Sequence, residues 1–151
     1  KYFIPLLKVS KIKKIINFSG GGAFNSFPNY SAYASSKAAL VRFTETLASE
    51  LKNDNISVNC IAPGFVATPL HEATLIAGDK KAGKDFLKFT INKLKKGSVP
   101  IEIPVKCLEF LISSKSKNLT GKTISASFDK WHTKKFQNKI SSYNKSDIFT
   151  M

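Results

Sequence analysis

The sequence predicts an α/β fold built on a doubly wound parallel sheet. Short apolar runs alternate with longer segments whose apolar residues recur every three or four positions, which is the order of strands and helices in such folds. The run at residues 15–18 is apolar except for Asn17, as expected of a strand covered on both faces. Glycine or proline follows the first two runs and stops their ladders.

The first half of the chain is predicted to contain a helix end, a strand and a long helix. Residues 2–9 resemble the end of a helix, and residues 11–14 form a charged turn before the strand at residues 15–18. A glycine run at residues 20–22 breaks that strand. A helix is predicted for residues 31–52, because its large apolar side chains are spaced for one buried stripe. These side chains are Leu40, Phe43, Leu47 and Leu51.

The second half is predicted to contain two further strands and two further helices. The strands are at residues 56–62 and 123–127, and the helices are at residues 84–95 and 103–112. Pro104 stands in the first turn of the last helix, where a missing N–H is harmless. Residues 71–96 as a whole have the weakest pattern.

The charge of the chain is strongly positive but does not predict a nucleic-acid site. The formal net charge is +14, from 24 basic and 10 acidic residues. Arg42 is the only arginine, whereas bidentate recognition of phosphate or guanine would use several. The lysines are scattered through every segment, so a solvated surface explains them, and part of the excess can steer an anionic cofactor.

The length predicts one domain. With 151 residues, 42% of them hydrophobic, the chain can form one core. We expect residues 1–133 to form the folded unit and residues 134–151, which are polar, to form a partly disordered tail. No apolar run approaches the length that spans a bilayer, and residues 1–14 do not resemble a signal peptide. We therefore expect a cytoplasmic protein with no membrane partner.

The cysteines and histidines do not predict a metal site. Cys60 lies in an apolar strand and Cys107 in an amphipathic helix, as buried thiols do. His71 and His132 belong to no recognisable motif and are expected at the surface.

Tyr33 and Lys37 are the candidate catalytic pair. Residues four positions apart on a helix share one face. An ammonium beside a phenol favours the phenolate and lowers the phenol's pKa from its usual value near ~10. The pattern therefore predicts that Tyr33 is a general acid/base assisted by Lys37. Two neighbouring residues exposed on a helix would give the same spacing.

Four segments in order resemble a short-chain dehydrogenase/reductase. They are residues 15–19 (IINFS), 33–37 (YASSK), 57–64 (SVNCIAPG) and 120–126 (TGKTISA). Each is similar to a strand or motif of that family, and together they span roughly residues 12–131. The resemblance implies a Rossmann-like fold, a nicotinamide cofactor (NAD or NADP) and a small alcohol or carbonyl substrate.

The resemblance also implies roles for individual residues. Tyr33 would exchange a proton with the substrate oxygen, and Lys37 would lower the phenol's pKa and bind the nicotinamide ribose. Ser19 would be the catalytic serine. The family usually ends this strand with two serines and uses the second, whereas here Gly20 follows Ser19. Either Ser19 reaches inward, or backbone N–H groups of the glycine run hold the oxygen, or proton transfer is impaired.

The segment after the second strand resembles the family's cofactor loop. Pro63 and Gly64 would admit the nicotinamide face, the backbone of Val66 would pair with the carboxamide, and the Thr68 hydroxyl would bind carboxamide or phosphate oxygen. A strand-ending turn would explain Pro63 and Gly64 but not the threonine at its spacing.

By the resemblance the chain is the second half of the domain. No glycine-rich pyrophosphate motif precedes Ser19. The interpretation is an NAD(P)-dependent oxidoreductase that is inactive as this chain alone and forms a homo-oligomer through the helix that carries Tyr33. The alternative is a non-catalytic remnant that acts only in association.

Overall fold

A computed structural model describes residues 2–141, with the backbone alone at Ser141. Three strands form one sheet in the order β1-β2-β3, and both neighbouring pairs are parallel. They are β1 (Lys14–Phe18), β2 (Ser57–Ala62) and β3 (Thr123–Ser125). The helices are α1 (Ile4–Val9), α2 (Ser31–Glu50), α3 (Pro69–Ala82), α4 (Lys84–Lys96), α5 (Glu102–Ile112) and α6 (Lys134–Ser141), with 3₁₀ turns at Lys52–Asp54 and Ser114–Ser116.

The sheet is covered on both faces, which confirms the predicted fold class. Val58 and Ile61 are three positions apart on β2 and therefore point to opposite faces. Val58 packs in a cluster with Ala48 and Leu51 at the end of α2. Ile61 packs in a second cluster, which includes Leu111 of α5. The sheet is thus wound with helices on both sides, as in a Rossmann fold.

The connection from β2 to β3 is fixed by polar contacts between distant parts of the chain. Asn59 is buried in β2, where its Nδ2 donates to the carbonyl of Leu119 at 2.8 Å and its Oδ1 accepts from the N–H of Lys122 at 3.1 Å. The N–H of Gly121 donates to the carbonyl of Val58 at 2.7 Å. These bonds hold the turn that precedes β3 against the start of β2.

The ends of the elements differ from the prediction for local reasons. The predicted last strand stops at Ser125, because the carboxylate of Asp129 accepts from the Ser125 N–H at 2.7 Å and turns the chain. The indole N–H of Trp131 donates to the carbonyl of Ala126 at 2.9 Å, and its ring packs on Phe110. Trp131 is therefore a packing anchor for the segment after β3.

The region with the weakest sequence pattern forms two helices. The predicted helix at residues 84–95 is α4, whereas α3 was not predicted. Its sequence has no clear apolar stripe, and Gly78 interrupts it with a φ of 66°. Part of the segment expected as a tail is also folded, because α6 occupies its start and Ile140 is buried in the α5 cluster. Residues 142–151 lie outside the described residues, and the division of the chain after residue 133 stays a prediction.

Residues 2–141 contain neither a membrane-spanning helix nor a metal-binding cluster. No helix in this range is long and apolar enough to cross a bilayer. The range also holds no group of three or more His, Cys, Asp or Glu residues placed to bind a metal ion.

Candidate functional site

The candidate residues meet at one edge of the sheet. Because the strands are parallel, their carboxyl ends lie together, and ligands of open α/β sheets bind outside those ends. Ser19 and Gly20 follow β1, and Pro63 and Gly64 follow β2. The first turn of α2 brings Tyr33 to the same edge.

Two hydrogen bonds position α2 along β1. The side-chain amide of Asn17 donates to the hydroxyl of Thr44 at 2.9 Å. About two turns earlier on the helix, Lys37 Nζ donates to the carbonyl of Phe18 at 3.0 Å. Asn17 is the polar residue that interrupts the apolar pattern of β1. Its side chain aligns the helix that carries Tyr33, so it has a structural role.

Lys37 lies close to the ring of Tyr33, as the spacing predicts. Its Nζ is 5.7 Å from the ring centroid. The expected lowering of the phenol's pKa is not found, because partial burial raises the pKa of Tyr33 above its usual value. The ammonium is hydrogen-bonded to the end of β1, so its position is set by the sheet. This part of the prediction is corrected: in this state the phenol stays protonated at neutral pH.

Position 20 faces the Tyr33 hydroxyl. A Cβ atom built on Gly20 would collide with the phenolic oxygen and would lie 3.4 Å from Cε of Lys37. The hydroxyl thus occupies the space in which a side chain at position 20 would begin. A side chain at position 20 would therefore force the Tyr33 hydroxyl to shift.

Ser19, unlike Gly20, does not face the Tyr33 hydroxyl. Its side chain is 3% exposed, and within residues 2–141 its hydroxyl has no hydrogen-bond partner. Successive side chains of an extended chain point to opposite sides, so Ser19 points away from the side on which Gly20 meets Tyr33. The structure brings Tyr33, Lys37 and Gly20 together and leaves Ser19 outside that group, so its catalytic role stays a prediction.

The glycine run forms a tight turn against α2. The N–H of Ala23 donates to the carbonyl of Gly20 at 3.3 Å, and Gly22 has a φ of 80°, as the third residue of a type II turn does. A Cβ on Gly22 would lie 2.7 Å from that of Ala34. The turn therefore packs directly on the first turns of the helix.

The loop after β2 leads into α3. Gly64 has a φ of 83°, and a Cβ there would lie 2.9 Å from the Ser127 hydroxyl. Thr68 is the N-cap of α3, and its exposed side chain makes no capping hydrogen bond. Its hydroxyl is thus available at a helix N-terminus, which favours anions.

The backbone of Val66 is engaged within the chain. Its N–H donates to the carbonyl of Gly64 at 3.2 Å. His71 makes a hydrogen bond to the Val66 backbone, and its ring stacks on Phe65 with centroids 3.9 Å apart. Burial lowers the pKa of His71, and the bond to Val66 partly opposes this effect. A pairing of the Val66 N–H with a ligand would require the bond to Gly64 to open.

His71 is the residue that the sequence reasoning missed. It was expected at the surface, yet it is half-buried against the predicted cofactor loop. A signal was available in the Thr68-Pro69 pair, which is a helix start. Side chains in a first turn point back toward the N-terminus, and so toward that loop.

An aromatic cluster connects the Tyr33 ring to α4. Phe27 stacks on Tyr30 with centroids 4.6 Å apart, contacts Phe86 at 4.7 Å and meets the Tyr33 ring edge-on at 6.2 Å. The Tyr30 hydroxyl is hydrogen-bonded to that of Thr74 at 3.2 Å, which joins α2 to α3. Tyr30 is therefore a packing residue, and the site has an apolar wall.

Comparison with known proteins identifies the family. Residues 1–76, just over half of the chain, match the family described as short chain dehydrogenase. The chain belongs to this family. The matched range includes Tyr33, Lys37 and the loop from Pro63 to Thr68, although the match by itself assigns no role to them.

Several dehydrogenases and reductases are similar to the chain. Dehydrogenase/reductase SDR family member 4 of Sus scrofa is 32% identical over 127 residues, which are 82% of this chain and 43% of that protein. A diacetyl reductase [(S)-acetoin forming] of Staphylococcus aureus is 34% identical over 116 residues, which are 74% of this chain and 45% of that protein. The chain thus spans less than half the length of these curated dehydrogenase relatives.

A solved short-chain dehydrogenase relative has the same arrangement of elements. It is an NADPH-dependent reductase involved in bacilysin biosynthesis, 27% identical, with a TM-score of 0.66. The superposition covers 86% of this chain and 50% of that structure.

Proposed function

We propose that this chain is the carboxyl-terminal half of an NAD(P)-dependent oxidoreductase that interconverts an alcohol and a carbonyl. The observation that carries the proposal is the placement of Tyr33 and Lys37 at the carboxyl end of β1 in a chain of the short-chain dehydrogenase family. Similar proteins named as a diacetyl reductase and an NADPH-dependent reductase support this class of substrate and cofactor.

The described residues fit the nicotinamide end of such a cofactor. Lys37 Nζ has three N–H donors and uses one of them on Phe18, so two can bind ribose hydroxyls. Thr68 offers an unpaired hydroxyl at the N-terminus of α3, where carboxamide or phosphate oxygen would bind. Pro63 and Gly64 form the turn beneath that position, and the Val66 N–H would exchange its bond to Gly64 for the carboxamide. When bound, NAD or NADP supplies or accepts the hydride.

Tyr33 would be the proton carrier. Because burial raises the pKa of its phenol, it is held protonated and ready to donate to a carbonyl oxygen. The ring is held by Phe27 on one side and the glycine turn on the other, so its hydroxyl has little freedom. Lys37 would favour the phenolate that forms after transfer. The aromatic cluster would exclude water and favour a small carbonyl substrate with apolar substituents.

The isolated chain should have no dehydrogenase turnover. Residues 2–141 form three strands, and the sequence has no glycine-rich motif before Ser19 for the pyrophosphate, which supplies much of a dinucleotide's binding energy. Association is expected through α2, where Phe43 is 55% exposed. We propose that the protein is a cytoplasmic homo-oligomer. Light scattering in solution measures the mass of the assembly and so tests the oligomeric state.

The test uses the full-length protein that carries this chain. Oxidation of NADH or NADPH in the presence of diacetyl should depend on the enzyme. Tyr33→Phe should lower kcat by ~10² or more with little loss of cofactor affinity, because it removes the proton carrier and keeps the ring. Tyr30→Phe is the matched control, because it removes a hydroxyl one turn away that bonds to Thr74. Equal activity of the two variants would contradict the proposal.

A further inference from the structure

The glycine turn presents main-chain donors that are not used within the described chain. The N–H of Ser19 donates to the carbonyl of Ile61 at 2.8 Å, and that of Ala23 donates to Gly20. Between them, the N–H groups of Gly20, Gly21 and Gly22 meet no acceptor among residues 2–141. Buried backbone donors are rarely left unpaired, whereas an exposed donor such as that of Gly21 bonds to solvent and is open to a ligand.

The turn that carries these donors begins beside the candidate site. The N–H of Ser19 bonds to β2, and Gly20, which follows it, lies beside the Tyr33 hydroxyl. Gly21 and Gly22 are the central residues of the turn that begins at Gly20, and they pack against Phe27 and Ala34.

We propose that the N–H groups of Gly21 and Gly22 bind the carbonyl oxygen of the substrate opposite the Tyr33 hydroxyl, in place of a side-chain donor at position 20. This inference rests on the proposed function and adds the group that stabilises the developing charge. Successive backbone N–H groups in a turn with one positive φ form an anion-binding concavity. Neither neighbouring position supplies a side-chain donor, because position 20 is glycine and Ser19 points away.

The chemistry of the step explains why donors are needed. As the carbonyl carbon gains the hydride of the reduced nicotinamide, the two electrons of its π bond move onto the oxygen. That oxygen then takes the proton of Tyr33, and the resulting phenolate regains a proton from solvent. Preorganised N–H donors lower the barrier by stabilising the negative charge before the proton arrives.

Gly21 allows one donor to be removed with little change in shape. It is the second residue of the turn, the position at which proline is favoured, and its φ is not positive. A Cβ there would lie 3.5 Å from the Phe27 ring, which is an ordinary contact. Gly21→Pro removes the N–H, and Gly21→Ala keeps it while adding similar bulk.

The kinetic test compares these two variants in the full-length protein. We expect kcat of Gly21→Pro to be ~10²-fold below that of Gly21→Ala, the loss typical of one oxyanion donor, with the KM for the cofactor alike in both. Equal kcat values would overturn the inference. If the two kcat values were equal but Tyr33→Phe were inactive, the proposed function would stand and only the role of the backbone donors would be lost.

A binding test does not depend on turnover. The 151-residue chain labelled with ¹⁵N-glycine gives one amide signal for each of its eight glycines. Titration with acetate, whose carboxylate oxygen serves as the probe, should shift the signals of Gly21 and Gly22. The signals of Gly78 and Gly97, which have open space around them, should stay in place. Unmoved signals at Gly21 and Gly22 would overturn the inference even if the full-length protein had no activity.

Discussion

The hydroxyl of Tyr33 lies where a side chain on Gly20 would begin. This contact joins the end of β1 to the first turn of α2 and fixes the ring of Tyr33. Position 20 is also where the family usually has its serine. Gly20 is therefore part of the packing of this site. The effect of a side chain at this position can be tested by substituting serine for Gly20.

Gly20→Ser should lower the activity of the full-length protein. The new Cβ would displace the Tyr33 hydroxyl, so kcat should fall by about 10-fold or more, as happens when a catalytic group is displaced from its productive position. Stopped-flow measurement of nicotinamide absorbance gives kcat. A rise of more than about 100-fold would show instead that the site had lost a needed hydroxyl.

Lys37→Met should weaken cofactor binding. The change removes a charged donor while keeping most of the length of the side chain, and the loss of such a hydrogen bond corresponds to about 10-fold or more in Kd. Fluorescence titration of the full-length protein with NADH and NADPH measures this effect. Lys52→Met, in the 3₁₀ turn after α2, removes an exposed lysine away from the site and is the control. Equal affinities of the two variants would argue against the ribose contact.

His71 should make the fold less stable in acid. Its pKa in the folded chain is below the usual 6.5, so below that pH the unfolded chain binds more protons. The stability that neutral His71 contributes is present above pH 6.5 and is lost as the pH falls through its folded pKa. Thermal unfolding at a series of pH values should show a smaller decline of Tm for His71→Gln than for the unchanged protein. The same substitution at the exposed His132 should leave the decline unaltered.

Cys60 and Cys107 should be unreactive while the chain is folded. Both are buried, burial raises the pKa of each, and that of Cys107 is raised to about 12. Because the thiolate is the reactive form, a thiol reagent such as Ellman's should label neither residue at neutral pH. Both should react when guanidinium unfolds the chain. Rapid labelling of Cys107 in the native protein would show that the cluster around α5 opens.

Local patterns were sufficient to predict much of the fold. The apolar run that became β1, the stripe of α2 and the Tyr33-Lys37 spacing depend on residues close in sequence, where periodicity decides the structure. The helix α3 was missed because its sequence has no apolar stripe and its position depends on contacts such as Thr74 with Tyr30. Where a segment has no apolar stripe of its own, tertiary contacts decide whether it forms a helix.

The direction of single side chains could not be predicted. Ser19 and Gly20 are neighbours, and the strand geometry alone decides which of them meets Tyr33. The pKa of Tyr33 likewise depends on how much water reaches the phenol, and the sequence gives only the presence of Lys37. His71 was missed because its contact with Val66 exists only in the folded loop.

The buried side chain of Asn59 has a consequence for how the chain folds. Its bond to Leu119 joins residues 60 positions apart, and its bond to Lys122 spans 63. Such contacts form only after a long loop has closed, so the entropy of closure is lost before the bonds compensate for it. Refolding should therefore be slow compared with that of a helical bundle of this size, with β3 joining late. Until it joins, the β3 side of β2 stays open to other chains, so dilute conditions should favour recovery of the native protein.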